Sequence, residues 1–150
     1  MKLSTRTRYG VRALVDIAQY STKSPVLLKD VAQRQAVSED YLEHILIPLK
    51  AAGLIKTIRG IKGGFTISKP PAQIRLDEVV LILEKKVALV ECVNTPTVYP
   101  RSDICATHIL WQEITEAITK VLKSTTLLDL MNRQGKNEET RKVITEKLKS

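Results

Sequence analysis

A chain of 150 residues suits one domain, or a small domain with an arm. Hydrophobic residues make up 43% and aromatics only 4%, so a core built mainly from Ile, Leu, Val and Ala is expected. The net charge of +8 and the pI near 9.6 point to a polyanionic partner, and no apolar run reaches the ~18 residues that would make a membrane-spanning helix.

The first segment, "MKLSTRTRYGVRALVDIA", is interrupted by Arg6, Arg8 and Arg12 and lacks an apolar signal core. A cytoplasmic protein with no membrane partner is therefore expected. Its two cysteines would be reduced there, which makes a structural disulfide a poor first reading. "TRYGVRALVDIAQYS" sets Val11, Leu14, Val15 and Ala18 at helical spacing, with Arg8, Arg12 and Asp16 elsewhere on the helix. Ser24 and Pro25 break it. "LLKDVAQRQAV" predicts a short second helix with Leu28, Val31 and Ala32 inward. Ser38 then reads as an N-cap, with Glu39 and Asp40 in the first turn beside the helix dipole. The third helix carries Leu42, Ile45, Leu46 and Leu49. Pro48 inside it predicts a kink or a weakened turn, and Gly53 its C-cap.

"LIKTIR" and "GFTISK", joined by "GIKGG", predict a β-hairpin. The apolar residues of the first piece are irregular, so the glycines carry this reading more than the strand pattern does. "LDEVVLILEKK" is a further helix. A loop with both cysteines follows. A long helix then runs from about Ile104 to Lys123, with Ile109, Leu110, Ile114, Ile118, Val121 and Leu122 on one broad stripe. "TTLLDLMNRQ" reads as a short helical turn, and the charged end as a partly ordered tail. The fold class is thus mainly α with a small β-hairpin wing. The chain divides into a winged helix-turn-helix domain (1–85), a cysteine-containing sensor loop (86–106), a dimerisation helix with a docking turn (104–131), and a charged tail (132–150).

Three short helices followed by a two-stranded hairpin is the order of a winged helix-turn-helix. Its reader helix puts N-terminal residues at base edges in the major groove. Those positions hold Ser38, Glu39, Asp40, Tyr41, Glu43 and His44. Glu43 can accept from cytosine N4, while Tyr41 and His44 can donate to bases or phosphates. Arg59 and Lys62 flank the glycine-rich wing tip, where an Arg enters a narrow minor groove and a Lys neutralises a phosphate. The same residues could equally form a solvated helix face and an ordinary basic hairpin. Their order along the chain favours double-stranded DNA. No glycine-rich phosphate loop and no His–Asp–Ser set occurs, so no enzyme is expected.

"MKLSTRTRYGVRALVDIA", "SEDYLEHIL", "AGLIKTIRGIKGGF", "LDEVVLILE" and "CATHILWQEITEAITKVLKSTTLLDL" resemble the Rrf2 family of bacterial transcription regulators over about residues 1–131. The resemblance implies a homodimer on a partly palindromic operator, acting as repressor or activator, with the long helix paired with its twin. It implies that Tyr41, Glu43 and their neighbours read bases, and that Arg59 and Gly60 enter the minor groove. Lys2, Ser4 and Tyr9 would touch backbone phosphates. Asp40 stands where some members carry Ser, which implies a different preferred operator.

Iron–sulfur members of that family hold their cluster on three cysteines of this loop and a further ligand. Cys92 and Cys105 match the first and last, "CATHILW" resembles the segment in which His108 aligns with a histidine ligand, and the middle cysteine is missing. Arg8 stands where some members supply an acidic ligand. Cys105 and His108, i and i+3 at a helix start, share a face. A [2Fe-2S] cluster on Cys92, Cys105 and His108 needs a fourth ligand, from Asp103, His44, the dimer mate or outside the protein. Zinc, a Cys92–Cys105 redox switch and two inert thiols stay open beside it. A regulator that answers to a metabolite or a protein, with the cysteines as spectators, is the second functional reading.

Overall fold

The computed structural model describes residues 2–88, 91–95, 97 and 100–150, without the side chains of Glu91, Cys92 and Ser102. Helix α1 spans Thr5–Tyr20 and starts at Ser4, whose hydroxyl accepts the Thr7 N–H at 3.1 Å. Helix α2 spans Leu28–Gln35, and Ala36, with φ +54°, turns the chain toward helix α3 at Glu39–Ala51. At Gly10 helix α1 lies close to α3 and to Leu83: a Cβ there would come within 2.6 Å of Leu83 Cδ1 and 3.1 Å of Ile45 Cγ2, so the Leu83 side chain would have to shift to admit one.

Helix α3 buries Leu42, Ile45, Leu46 and Leu49, each stabilising by roughly 1.5–3 kcal/mol through apolar burial. It runs through Pro48 to Ala51. Its end is a Schellman turn: Leu54 N–H donates to Leu49 O and Gly53 N–H to Lys50 O, both at 3.0 Å, with Gly53 at φ +74°. That turn launches the wing. Strands β1 (Ile55–Ile58) and β2 (Gly64–Ile67) pair antiparallel, Ile55 opposite Ile67 and Ile58 opposite Gly64. Val26 adds a one-residue third strand by exchanging both hydrogen bonds with Phe65, at 2.9 and 2.7 Å.

Helix α4 (Leu76–Glu84) closes the core with Leu76, Val79 and Leu83, against Leu14, Ile17, Leu46 and Leu49. A four-residue helix α5 (Glu91–Asn94) lies in the cysteine loop. Helix α6 runs Ala106–Ser124, packs on α4 and has no fully buried residue. Helix α7 runs Leu127–Lys149. The corner between α6 and α7 is pinned by Leu76 N–H to Thr125 O (2.9 Å), Leu127 N–H to Ile74 O (2.8 Å) and the buried Leu127 side chain.

Two elements depart from the sequence expectation, and one buried charge lay beyond it. Residues 102–104 form a separate 3₁₀ turn, so the long helix starts at Ala106. The charged end continues as α7 rather than as a turn and a partly ordered tail. A reciprocal capping box of Thr126 and Asp129 starts that helix, Leu127, Leu130 and Met131 seat its first turns on the core, and Gln134 donates to Glu138 at 3.0 Å farther along. Asp16 is buried. Its carboxylate takes both Arg34 Nε (2.9 Å) and a terminal Arg34 nitrogen (2.7 Å), and Gln35 Nε2 at 2.9 Å. The Arg34 guanidinium also lies 4.1 Å over the Tyr20 ring. These contacts fix α2 against α1, and so set where α3 begins.

Candidate nucleic-acid interface

Helix α3 is amphipathic about the expected line. Leu42, Ile45, Leu46 and Leu49 face the core, which leaves Glu39, Asp40, Tyr41, Glu43, His44 and Ile47 exposed. Ser38 caps the helix by accepting the Tyr41 N–H at 3.2 Å. The acids of the first turn complement the helix dipole and leave carboxylates where a base amino group, not a phosphate, is the matching partner.

Tyr41 is anchored from α1. The Tyr9 and Tyr41 rings meet edge-to-face, with centroids 6.1 Å apart at 86°. The Arg12 guanidinium lies 4.8 Å over Tyr9 while its Nε donates to Gln35 Oε1 at 3.0 Å and a terminal nitrogen donates to Gln35 O at 3.2 Å. Arg12, Tyr9 and Tyr41 thus form one chain from α2 to the first turn of α3. Tyr9 is half-buried in it.

The wing tip is a tight turn closed by Gly63 N–H to Gly60 O at 3.0 Å. Gly60 sits at φ +116°, and Arg59, Ile61 and Lys62 are all exposed. Lys2 is exposed as well, beside a hollow lined by Glu84, Lys86, Ile118 and Leu122. Ser4 also has a structural part. Its hydroxyl caps α1 and its backbone amide donates to Glu84 Oε1 at 2.7 Å. Arg12, Ile47 and Ile61 were passed over in the sequence. The signal for Ile47 was its place one turn beyond Glu43 and His44 on the polar side of α3.

In the cysteine loop, Cys105 is the N-cap residue of α6, and its carbonyl accepts the His108 N–H at 3.1 Å. Its Sγ lies 3.1 Å from Thr107 Oγ1. Hydrogen bonding from Thr107 and from the His108 backbone, with Arg101 nearby, outweighs the effect of burial and holds this thiol below the ordinary cysteine range. Cys92 belongs to α5, but its side chain lies outside the described residues, and so does the expected three-donor set as a whole. Among the described residues no three His, Cys, Asp or Glu side chains converge as metal ligands. Among the described residues Cys105 and His108 supply one thiol and one imidazole, and a [2Fe-2S] cluster needs four ligands.

Among the described residues no helix is long and apolar enough to cross a membrane. A family model described as Rrf2, an iron-dependent transcriptional regulator, matches residues 3–133. The chain is 41% identical over 131 residues to protein rrf2 of Nitratidesulfovibrio vulgaris, covering 87% of each chain. It is 34% identical over 134 residues to the HTH-type transcriptional regulator IscR of Photorhabdus laumondii, covering 89% of this chain and 81% of that one. The solved structure of CymR, described as the global cysteine regulator of B. subtilis, matches with a TM-score of 0.76 at 35% identity, covering 89% of this chain and 98% of that one.

Proposed function

The chain belongs to the Rrf2 family of transcription regulators, and on that premise we propose that it binds a partly palindromic operator as a homodimer in the cytoplasm. It is a DNA-binding regulator and not an enzyme. The observation that carries the operator reading is the pairing of two exposed elements. The polar face of α3 presents Asp40, Tyr41, Glu43 and His44, and a Schellman turn leads from that helix straight into a tight wing bearing Arg59, Gly60 and Lys62. Helix α3 takes the major groove and the wing an adjacent minor groove. Tyr9 holds Tyr41 in place, Lys2 reaches phosphate, and the caps at Ser4 and Ser38 set the helix starts. Selection of bound duplexes from a random pool tests this. A two-fold-symmetric motif supports it, and the absence of any enriched motif overturns it.

The dimer seam lies on the outer face of α6. Leu110, Ile114, Ala117 and Val121 recur at spacings of four, three and four, the pattern of a helix paired with another helix. Val121 is 63% exposed and Leu110 46%. Ile118 and Leu122 turn instead toward Val80 and Glu84, so the single stripe of the sequence resolves into an inner and an outer face. An α6 that is nowhere fully buried in the protomer supports a second copy as its missing cover.

The input enters at Cys105. A thiol held below its ordinary range at the start of the helix that carries the seam supports a redox-sensitive residue. A [2Fe-2S] cluster on Cys92, Cys105 and His108 is the form of input favoured by the family model's description as iron-dependent. Thiol oxidation is the form favoured by the thiolate character of Cys105. Iron and sulfide analysis after anoxic purification separates the two.

A further inference from the structure

The wing tip carries one side chain that folding does not explain. Ile61 is exposed to 105% of its reference accessibility, the most exposed large hydrophobic residue among those described. It buries nothing, so it contributes nothing to the core. It occupies the second position of the turn closed by Gly63 N–H to Gly60 O, with no positive φ at Ile61 or Lys62. Pro is the favoured residue there, and a branched aliphatic side chain gains nothing from the geometry.

The surrounding positions are fixed by sterics. Gly60 sits at φ +116°. A Cβ on Gly63 would come within 2.2 Å of Ile58 O, and one on Gly64 within 2.3 Å of Val26 O. The tip is therefore stripped of side chains except Arg59, Ile61 and Lys62. It presents a single apolar group between two cations. That is a poor surface for water, and its flanking cations suit an anionic groove.

We propose that Ile61 is a specificity-determining residue that packs against the floor of an A·T-rich minor groove and rejects G·C pairs there. This rests on the operator reading above. The minor-groove edges of A·T and T·A pairs show only acceptors, whereas guanine adds its N2 amino group. An aliphatic side chain pressed on that floor excludes water. An amino group there would lose its solvent partner and collide with the side chain. Arg59 and Lys62 hold the tip against the negative potential, and Ile61 decides which base pairs lie under it. The cations thus supply attraction, and the isoleucine discrimination.

The experiment substitutes 2,6-diaminopurine for adenine, one position at a time, in a selected operator. That base adds an amino group in the minor groove and keeps the major-groove pattern of adenine. Wild type should lose about tenfold in affinity at one or two positions per half-site, the scale of one spoiled apolar contact. Ile61→Ser should lose that penalty, Ile61→Val should keep it, and Glu43→Ala should keep it. An unchanged melting temperature for Ile61→Ser excludes misfolding. Salt-sensitive operator binding with no diaminopurine penalty at any position overturns this inference alone. So does an Ile61→Ser variant that retains the full penalty. Failure to bind any duplex overturns the operator reading, and this inference with it.

Discussion

The backbone amide of Ser4 donates to the Glu84 carboxylate at 2.7 Å and ties the first turn of α1 to the last turn of α4. Lys85, at φ +67°, ends α4 immediately afterwards, and the cysteine loop begins there. One hydrogen bond thus joins the arm that bears Lys2 to the root of the loop that bears Cys105. Helix α1 also carries Tyr9, whose ring meets that of Tyr41.

Burial pushes the Glu84 carboxyl up, but hydrogen bonds from Thr7 and Ser4 outweigh it and leave the group below its ordinary 4.5. A carboxyl depressed by folding stabilises the protein above its unfolded value, and that contribution fades as pH falls through the folded one. Glu84→Gln should therefore be less stable than wild type at neutral pH. The gap should close once the pH has fallen below 4.5 and through the folded value. Urea midpoints measured against pH check this. A gap that is constant down to acid pH contradicts it.

Asp16→Asn should destabilise by about 1–3 kcal/mol. A partner left unpaired in a fully buried ion pair costs about 3–5 kcal/mol, and solvent reduces this here because the Arg34 side chain is 32% exposed. The loss also weakens the hold of α2 on α1, so operator affinity should drop alongside the urea midpoint. An unchanged midpoint would show that the pair is ornamental.

Leu110→Glu and Val121→Glu should give monomers, since a carboxylate in a closed apolar seam costs several kcal/mol. Leu122→Glu should instead unfold the contact of α6 with the core, against which Leu122 packs. Sedimentation and thermal melts distinguish the two outcomes. Folded dimers from both outer-face variants would remove α6 as the interface.

Cys105→Ser should abolish the response of operator affinity to oxidant. Alkylation of Cys105 should proceed faster at neutral pH than for a free thiol, because Thr107 and the His108 backbone favour its thiolate. Thr107→Val, which removes the hydroxyl 3.1 Å from Sγ, should slow it. Equal alkylation rates for wild type, the Thr107 variant and a model peptide would leave the thiol without a sensory role.

The helix-turn-helix and the wing were legible because their cues are local. Apolar residues at helical spacing gave α1 to α3, Ser38 gave a cap, and the glycines after Arg59 gave the hairpin. What escaped was tertiary. Asp16 looks like any polar-face residue until Arg34, eighteen positions on, closes over it. Val26 joins the sheet through one residue, too short for any alternation to register. Helix α7 is held at its start, by its cap and by Leu127, Leu130 and Met131 on the core, and its charged remainder shows only a weak helical period. On α6 the apolar positions merge into one stripe in sequence, and only the packing of α4 splits them into two faces. At the site, charge drew attention to Arg59 and Lys62, and the uncharged Ile61 between them went unremarked.

Operator affinity against salt for wild type, Glu43→Ala and Arg59→Ala tests most directly whether α3 and the wing form a two-part DNA reader. Wild type, making ~6–10 phosphate contacts per dimer, should lose about 10³–10⁵ in affinity between about 50 and 200 mM salt. Glu43→Ala should keep that slope, lose about 1–3 kcal/mol on the operator, and relax preference at one base pair per half-site. Arg59→Ala should weaken binding most on operators with an A·T-rich narrow minor groove. A nearly flat log–log plot for wild type, or two variants that lose affinity equally on every sequence, would contradict the account.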